Sequence, residues 1–291
     1  MGERRNAYAL AALFAGAAAI GTSALFVKVS ETGPVATAFW RVALALPLLW
    51  LWASRTAPPA PHPANRALLW GAGFFFAGDL AVWHWSIVLT SVANATLLAN
   101  LAPLFVTLGA WLLFRLRPGA AFIGAMSVGL VGMAMLIGPD FALAGKVWLG
   151  DVLGIVTALF YAAYQMTVNR ARARISTARI MATSSAITAV FLVPVVMVSG
   201  ESWLPHTGYG WLKLCGLAFI SQVAGQSLIA YALAHLTALF ASVGLLLQPV
   251  VAAMLAWVLL GERLSASQLL GGALVLAAIG AARIAENARK R

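Results

Sequence analysis

The stretches NLAPLFVTLGAWLLFRLR, Asn100–Arg117, and LLQPVVAAMLAWVLLGER, Leu246–Arg263, superimpose without a gap when the chain is shifted on itself by 146 positions. Pro103 then falls on Pro249, Trp111 on Trp257 and Arg117 on Arg263. The same shift pairs Ala12-Leu13-Phe14 with Ala158-Leu159-Phe160, and Ala36-Thr37 with Ala182-Thr183. Each copy holds five apolar stretches of about twenty residues, the length that crosses a hydrocarbon core. Five is odd, so two successive copies enter the membrane in opposite orientations. Inverted repeats of this kind build alternating-access carriers.

Composition agrees with a lipid solvent. The 291 residues are 62% hydrophobic and 9% charged, against about 25% charged in soluble domains. The runs are continuously apolar rather than alternating, which predicts helices and not a barrel. We read spans at 7–29, 33–53, 67–89, 93–114, 119–138, 150–169, 179–199, 210–234, 239–260 and 266–285. The expected fold is therefore an all-α membrane protein of ten transmembrane helices, arranged as two inverted five-helix repeats. The repeats cover 7–138 and 150–285 and form one integrated transporter unit. The second begins after Pro139-Asp140, and the longest linker, 54–66, is broken by Pro58, Pro59, Pro61 and Pro63. Gly124, Gly129, Gly132, Gly271, Gly272 and Gly280 predict close packing of the fifth and tenth spans.

The net charge of +11 is sorted by side. One face collects Arg4, Arg5, Arg55, Arg66, Arg115, Arg117, Arg170, Arg172, Arg174, Arg179, Arg283, Arg289, Lys290 and Arg291; the other has Lys28, Lys146, Lys213 and Arg263. That bias predicts a multi-pass protein of a bacterial-type inner (cell) membrane with both termini cytoplasmic. No basic cluster interleaved with aromatics points to nucleic acid. The N-terminal apolar run is too long for a secretory signal and reads as the first span. The single cysteine, Cys215, excludes an intrachain disulfide and a cysteine-cluster metal site.

Two charges lie well inside the spans. Arg41 in the second and Asp79 in the third both fall about 12 Å from the arginine-poor boundary at 1.5 Å per residue. An unpaired charge there is costly, so the two are expected to form an ion pair or to share a wet cavity. One reading is a structural pair that fixes register. The other has Asp79 binding a proton or a substrate ammonium while Arg41 receives a carboxylate.

Pro103 and Pro249 interrupt their helices at equivalent places, depriving the carbonyls of Ala99 and Leu245 of their usual partners. Each lies beside an amide, Asn100 and Gln248. Matching interruptions in two repeats mark a central site. Gln222 and Gln226 are spaced to share a helix face, and Tyr161, Tyr164 and Gln165 make a stripe on the sixth span. Asp79, Trp83 and Ser86 follow the same rule on the third. Such groups suit either a small amphipathic solute or interhelical hydrogen bonding. Trp83-His84-Trp85 is read as an interfacial belt or a stacking box, with His84 titrating near neutrality. No catalytic triad, metal spacing or phosphate loop stands out, so neither an enzyme nor a cofactor is expected.

The tail LLLQPVVAAMLAWVLLGERLSASQLLGGALVLAAIG, Leu245–Gly280, resembles the EamA domain of the drug/metabolite transporter superfamily. A mid-helix proline, an apolar run, the pair Gly261-Glu262 and a glycine-containing last helix carry the resemblance. The first copy keeps Pro103 and Trp111 but has Arg115-Leu116 in place of the Gly-Glu pair. Arg41, in FWRVALALPLL, is similar to an arginine often found in the family's second helix. The resemblance implies a secondary transporter that exports amino acids, the aromatic ones included, or similar small amphipathic metabolites. Drugs, other cationic toxic compounds and nucleotide-sugar-like metabolites are the alternatives it implies. A channel or a membrane-embedded enzyme is the remote one. Partners are then membrane lipid and a small-molecule substrate, with monomer and homodimer both open.

Overall fold

In the computed structural model, which describes residues 2–56, 63–90, 92–137, 148–260 and 264–290, the long elements are all helices. The first span is α1 (Gly2–Gly21) continued by α2 (Ser23–Lys28). The second is α3 (Pro34–Ala43) with α4 (Leu46–Ser54), and the third is α5 (Pro63–Leu89). α6 (Val92–Ala99) and α7 (Ala102–Phe114) make the fourth, and α8 (Ala120–Ile137) the fifth. The sixth and seventh are α9 (Trp148–Ala171) and α10 (Thr177–Ser199). The eighth joins α11 (Gly208–Gly216), a π-helical segment Leu217–Gln226 and α12 (Ser227–Ala232). α13 (Ala238–Gly244) and α14 (Leu247–Leu260) form the ninth, and α15 (Ala266–Lys290) the tenth.

Among the described residues nine of these units are long and apolar enough to cross a membrane. The remaining one, α5, has 27 residues and a length of about 40 Å, but Asp79, His84 and three tryptophans break its apolar run. It starts at Pro63 rather than 67, and α15 runs to Lys290 rather than 285. Leu113, Val198 and Leu259 are 72%, 81% and 64% exposed, an outer surface suited to lipid and not to water. The Gly261-Glu262 pair, Pro139-Asp140, Lys146, Arg263, Arg291, Pro58, Pro59 and Pro61 lie outside the described residues.

Packing reproduces the repeat. The first span packs on the eighth and ninth, and the sixth packs on the third and fourth. The second meets the seventh and eighth; the seventh meets the second and third. The fifth packs on the tenth. Exchanging each span with the one five positions later maps this set of contacts onto itself, the property of two copies related by a two-fold axis. With five crossings per copy, that axis lies in the membrane plane.

At the arginine-poor end the two copies exchange helix caps. Glu201, after α10, accepts from Val35 N and Ala36 N at the start of α3, at 2.9 and 3.1 Å. Glu31, before α3, accepts from His206 N, Thr207 N and the Thr207 hydroxyl at the start of α11. Lys213 stands 3.8 Å from the same carboxylate. The Thr207 hydroxyl bond, with the two backbone amides, holds the Glu31 carboxyl below its ordinary range. Carboxylates suit helix N-termini because orphan N–H groups and the helix dipole both favour negative charge there. The equivalent junction at the arginine-rich end is uncharged on one side: Ser176 and Arg179 bond the Thr56 hydroxyl and carbonyl.

The glycine expectation is met where Gly132 faces Gly271, and again where a Cβ on Gly129 would lie 3.2 Å from the Ala278 Cβ. A Cβ on Gly132 would lie 2.7 Å from the Gly271 carbonyl oxygen, and one on Gly271 would meet Gly132 at 2.5 Å. Gly124 and Gly280 face open space. Gly132→Leu is therefore expected to separate α8 from α15 and cost about 1–3 kcal/mol, read as a fall in melting temperature in detergent. Gly124→Leu is expected to melt with the parent.

Candidate functional site

Both proline breaks are present and equivalent. α6 stops at Ala99 and α7 begins at Ala102; α13 stops at Gly244 and α14 begins at Leu247. The carbonyl of Leu245 is not orphaned, because the chain tightens there and Gln248 N donates to it at 3.0 Å. A 3₁₀-type turn thus repairs what the proline removes.

Beside these breaks lies a cavity of about 150 Å³, in the half of the bundle nearer the arginine-poor end. Nine of the residues singled out from the sequence line it: Arg41, Asp79, Trp83, His84, Asn100, Tyr161, Gln226, Gln248 and Pro249. Asp79 has no hydrogen-bond or ion-pair partner among the described residues. Arg41 is on the same cavity without forming an ion pair with it, so of the two expected arrangements the shared cavity is the one observed. Arg41, 8% exposed, instead donates Nε–H to Gln222 Oε1 at 3.2 Å. Gln222 passes the interaction on, donating Nε2–H to the Ser185 hydroxyl at 3.0 Å. The guanidinium also stands 5.8 Å from the centre of the Phe76 ring, within cation–π range.

Aromatic rings line the side towards the arginine-rich end. Phe76 stacks on Tyr164 at 4.8 Å between centroids, and Tyr164 on Tyr161 at 6.3 Å. The Tyr161 hydroxyl accepts from Gln248 Nε2 at 3.3 Å, tying α9 to the broken ninth span. Tyr164 is buried beneath this layer rather than on the cavity wall.

Four expectations need correcting in detail. Pro103 is buried within the fourth span and does not line the cavity. Gln222 and Gln226 do not share a wall: Gln226 lines the cavity, while Gln222 is buried between Arg41 and Ser185. Gln165 is 1% exposed and lies outside the cavity. Ser86 is structural, its hydroxyl donating to Gly150 O at 2.7 Å. The two tryptophans separate, Trp83 facing the cavity and Trp85, 39% exposed, facing outward. His84 points inward with Nδ1 against the Leu80 carbonyl. Phe76 was missed, although its place three residues before Asp79 puts it on the same face. Nothing in the sequence marks Ser185.

Comparison with known proteins gives a consistent answer. The family model described as the EamA-like transporter family matches residues 7–138 and 148–282. An uncharacterized transporter of Archaeoglobus fulgidus is 28% identical over 74% of this chain and 75% of its own. The pseudopaline exporter CntI of Pseudomonas aeruginosa is 26% identical over 88% of each chain. A protein solved by crystallography has a TM-score of 0.80 at 19% identity, covering 95% of this chain and 96% of its own; that likeness establishes the fold.

The Arg41–Gln222–Ser185 chain yields a prediction. Gln222→Leu takes the acceptor from a buried guanidinium, a loss of about 2 kcal/mol for a bond to a charged group. The variant is expected to melt several degrees below the parent in detergent. Removing the charge as well, in Arg41→Met with Gln222→Leu, is expected to restore part of that loss.

Proposed function

From membership of the EamA-like transporter family, to which this chain belongs over both of its halves, we propose that it exports amino acids, aromatic ones included, or similar small amphipathic metabolites by alternating access. That the protein is a membrane transporter follows from the family and from relatives named as transporters. The same names speak for a transporter rather than an enzyme. The substrate class rests on the cavity. Asp79 offers a carboxylate without a hydrogen bond among the described residues to an ammonium, Arg41 offers a guanidinium to a carboxylate, and Phe76 and Tyr161, backed by Tyr164, offer an aromatic floor. Such a site suits a zwitterion with an apolar or aromatic body. Gln248, Gln226 and Asn100 add directional hydrogen bonds around it. The observation that carries the reading is Asp79 and Arg41 on one cavity without an ion pair between them.

Export is the direction supported by the relative named as an exporter. The charge bias supports an inner-membrane location with the arginine-rich end and both termini in the cytoplasm. The substrate would load from that side and leave at the end where Glu31 and Glu201 exchange caps.

A second reading is an exporter of organic cations. It draws on Arg41 being already engaged by Gln222, while Asp79 accepts no hydrogen bond from the described residues. The two readings part in proteoliposomes loaded with radiolabelled phenylalanine or with ethidium. We expect saturable counterflow of phenylalanine, reduced at least tenfold by Asp79→Asn and by Arg41→Ala. Ethidium counterflow that survives Arg41→Ala but not Asp79→Asn would favour the cation reading. Wild-type transport of both solutes by Asp79→Asn would remove Asp79 from the site.

A further inference from the structure

A second, larger chamber of about 730 Å³ opens at the arginine-rich end, lined by Phe114, Phe122, Met166, Asn169, His235 and Thr237 among others. It lies between the end of the fourth span, the start of the fifth, the sixth, and the junction of the eighth with the ninth. The sixth span, α9, borders both chambers: Thr157 and Tyr161 line the central cavity, and Met166 and Asn169 line the second.

Between them stands Gln165. It is 1% exposed, and neither its amide oxygen nor its amide nitrogen has a hydrogen-bond partner among the described residues. A buried primary amide with both ends unmet is rare, because each end forfeits its water without replacement. Static packing does not explain it: a leucine would fill that place with no polar group to satisfy. The neighbours in steps of four do explain it. Thr157, Tyr161, Gln165 and Asn169 form a polar row on α9 that winds by about 40° per step and runs about 18 Å. Its first two members are in one chamber and its last in the other.

The plug between the chambers is also visible. Asn169 Nδ2 donates to the carbonyls of Leu233, at 2.6 Å, and Leu236, at 3.3 Å, in the turn between α12 and α13. Tyr161 is held to the ninth span by Gln248. These side-chain bonds cross from the sixth span to the eighth and ninth on either side of Gln165.

We propose that the row Thr157–Tyr161–Gln165–Asn169 is the substrate's track between the two chambers, and that Gln165 is a binding station uncovered only when the protein opens towards its arginine-rich end. Opening breaks the Asn169 bonds to the 233–236 turn and lets the second chamber reach Gln165. The free amide then bonds the polar groups of the passing solute, which exchanges Asp79 and Arg41 for it. This rests on the transporter reading above, and it adds an intermediate site that the closed cavity does not contain.

The test reads accessibility and needs no substrate, so its failure is separate from failure of the substrate reading. In a Cys215→Ala background, Thr157→Cys, Gln165→Cys and Asn169→Cys are made singly and reconstituted in vesicles of known orientation. A small, charged methanethiosulfonate reagent is then added from one face at a time. We expect Asn169→Cys to react rapidly, and Gln165→Cys slowly, both from the arginine-rich face. Asn169→Leu, added to Gln165→Cys, is expected to speed its modification about tenfold. Gln165→Cys that stays unmodified from both faces, with and without Asn169→Leu, while Asn169→Cys reacts, would overturn the proposal. So would modification from the arginine-poor face alone. Gln165→Leu gives an independent reading if the cysteine variant folds poorly. It is expected to reach the membrane at parental yield and to slow phenylalanine counterflow severalfold, whereas parental counterflow would make Gln165 a packing residue.

Discussion

Lipid accepts no hydrogen bond, and the arrangement of this molecule follows from that constraint. Backbone groups have to be satisfied within each segment, so the apolar runs become helices. Where a helix is broken, at 100–101 and at 245–246, the break stands beside a cavity inside the bundle and not against lipid. Several buried side chains obey the same rule. Arg41 is handed to Gln222 and Gln222 to Ser185, and Ser86 and Thr188 bond backbone carbonyls on neighbouring helices. Against that background, the Asp79 carboxylate on the cavity and the Gln165 amide, with both of its ends unmet among the described residues, are the informative groups.

The scaffold is symmetric and the chemistry is not. The 146-residue shift brings the two broken helices together, but it puts Ile187 where the first copy has Arg41, and Gly225 where it has Asp79. Phe76 and Gln222 are equivalent positions, one supplying a ring to the guanidinium and the other an oxygen. Tyr161 corresponds to Ala15, and Gln165 to Ala19. The duplication thus gives two helix junctions, one at each end, around a cavity whose polar residues are not matched between the copies. The two ends differ too. Two carboxylates secure helix N-termini at the arginine-poor end, while the Asn169 amide, the Ser176 hydroxyl and the Arg179 guanidinium serve at the other.

The sequence revealed most of this architecture because lipid imposes a single period and length on every span. Pro103 and Pro249 marked the breaks to within a few residues, since a missing N–H acts locally. Arg41 and Asp79 were matched in depth by counting residues, which requires only the helical rise. What counting does not give is rotation. Gln222 and Gln226 are spaced alike for one face, yet Arg41 and Ser185 take up Gln222 while Gln226 lines the cavity. Trp83 and Trp85 look alike in sequence, yet only one faces the cavity. The caps from Glu31 and Glu201 join positions more than 160 residues apart, a pairing that no local pattern encodes.

The orientation of the two copies is the claim on which the carrier reading of the cavity and the proposed track stand. Gly119 and Ser265 are equivalent under the repeat and both are exposed, one at the start of α8 and one just before α15. With Cys215 replaced by alanine, a membrane-impermeant maleimide applied to right-side-out and inverted vesicles reads their sides directly. Gly119→Cys is expected to react only from the cytoplasmic face, and Ser265→Cys only from the opposite one. Reaction of both from the same face would mean parallel copies, and the carrier described here would be wrong.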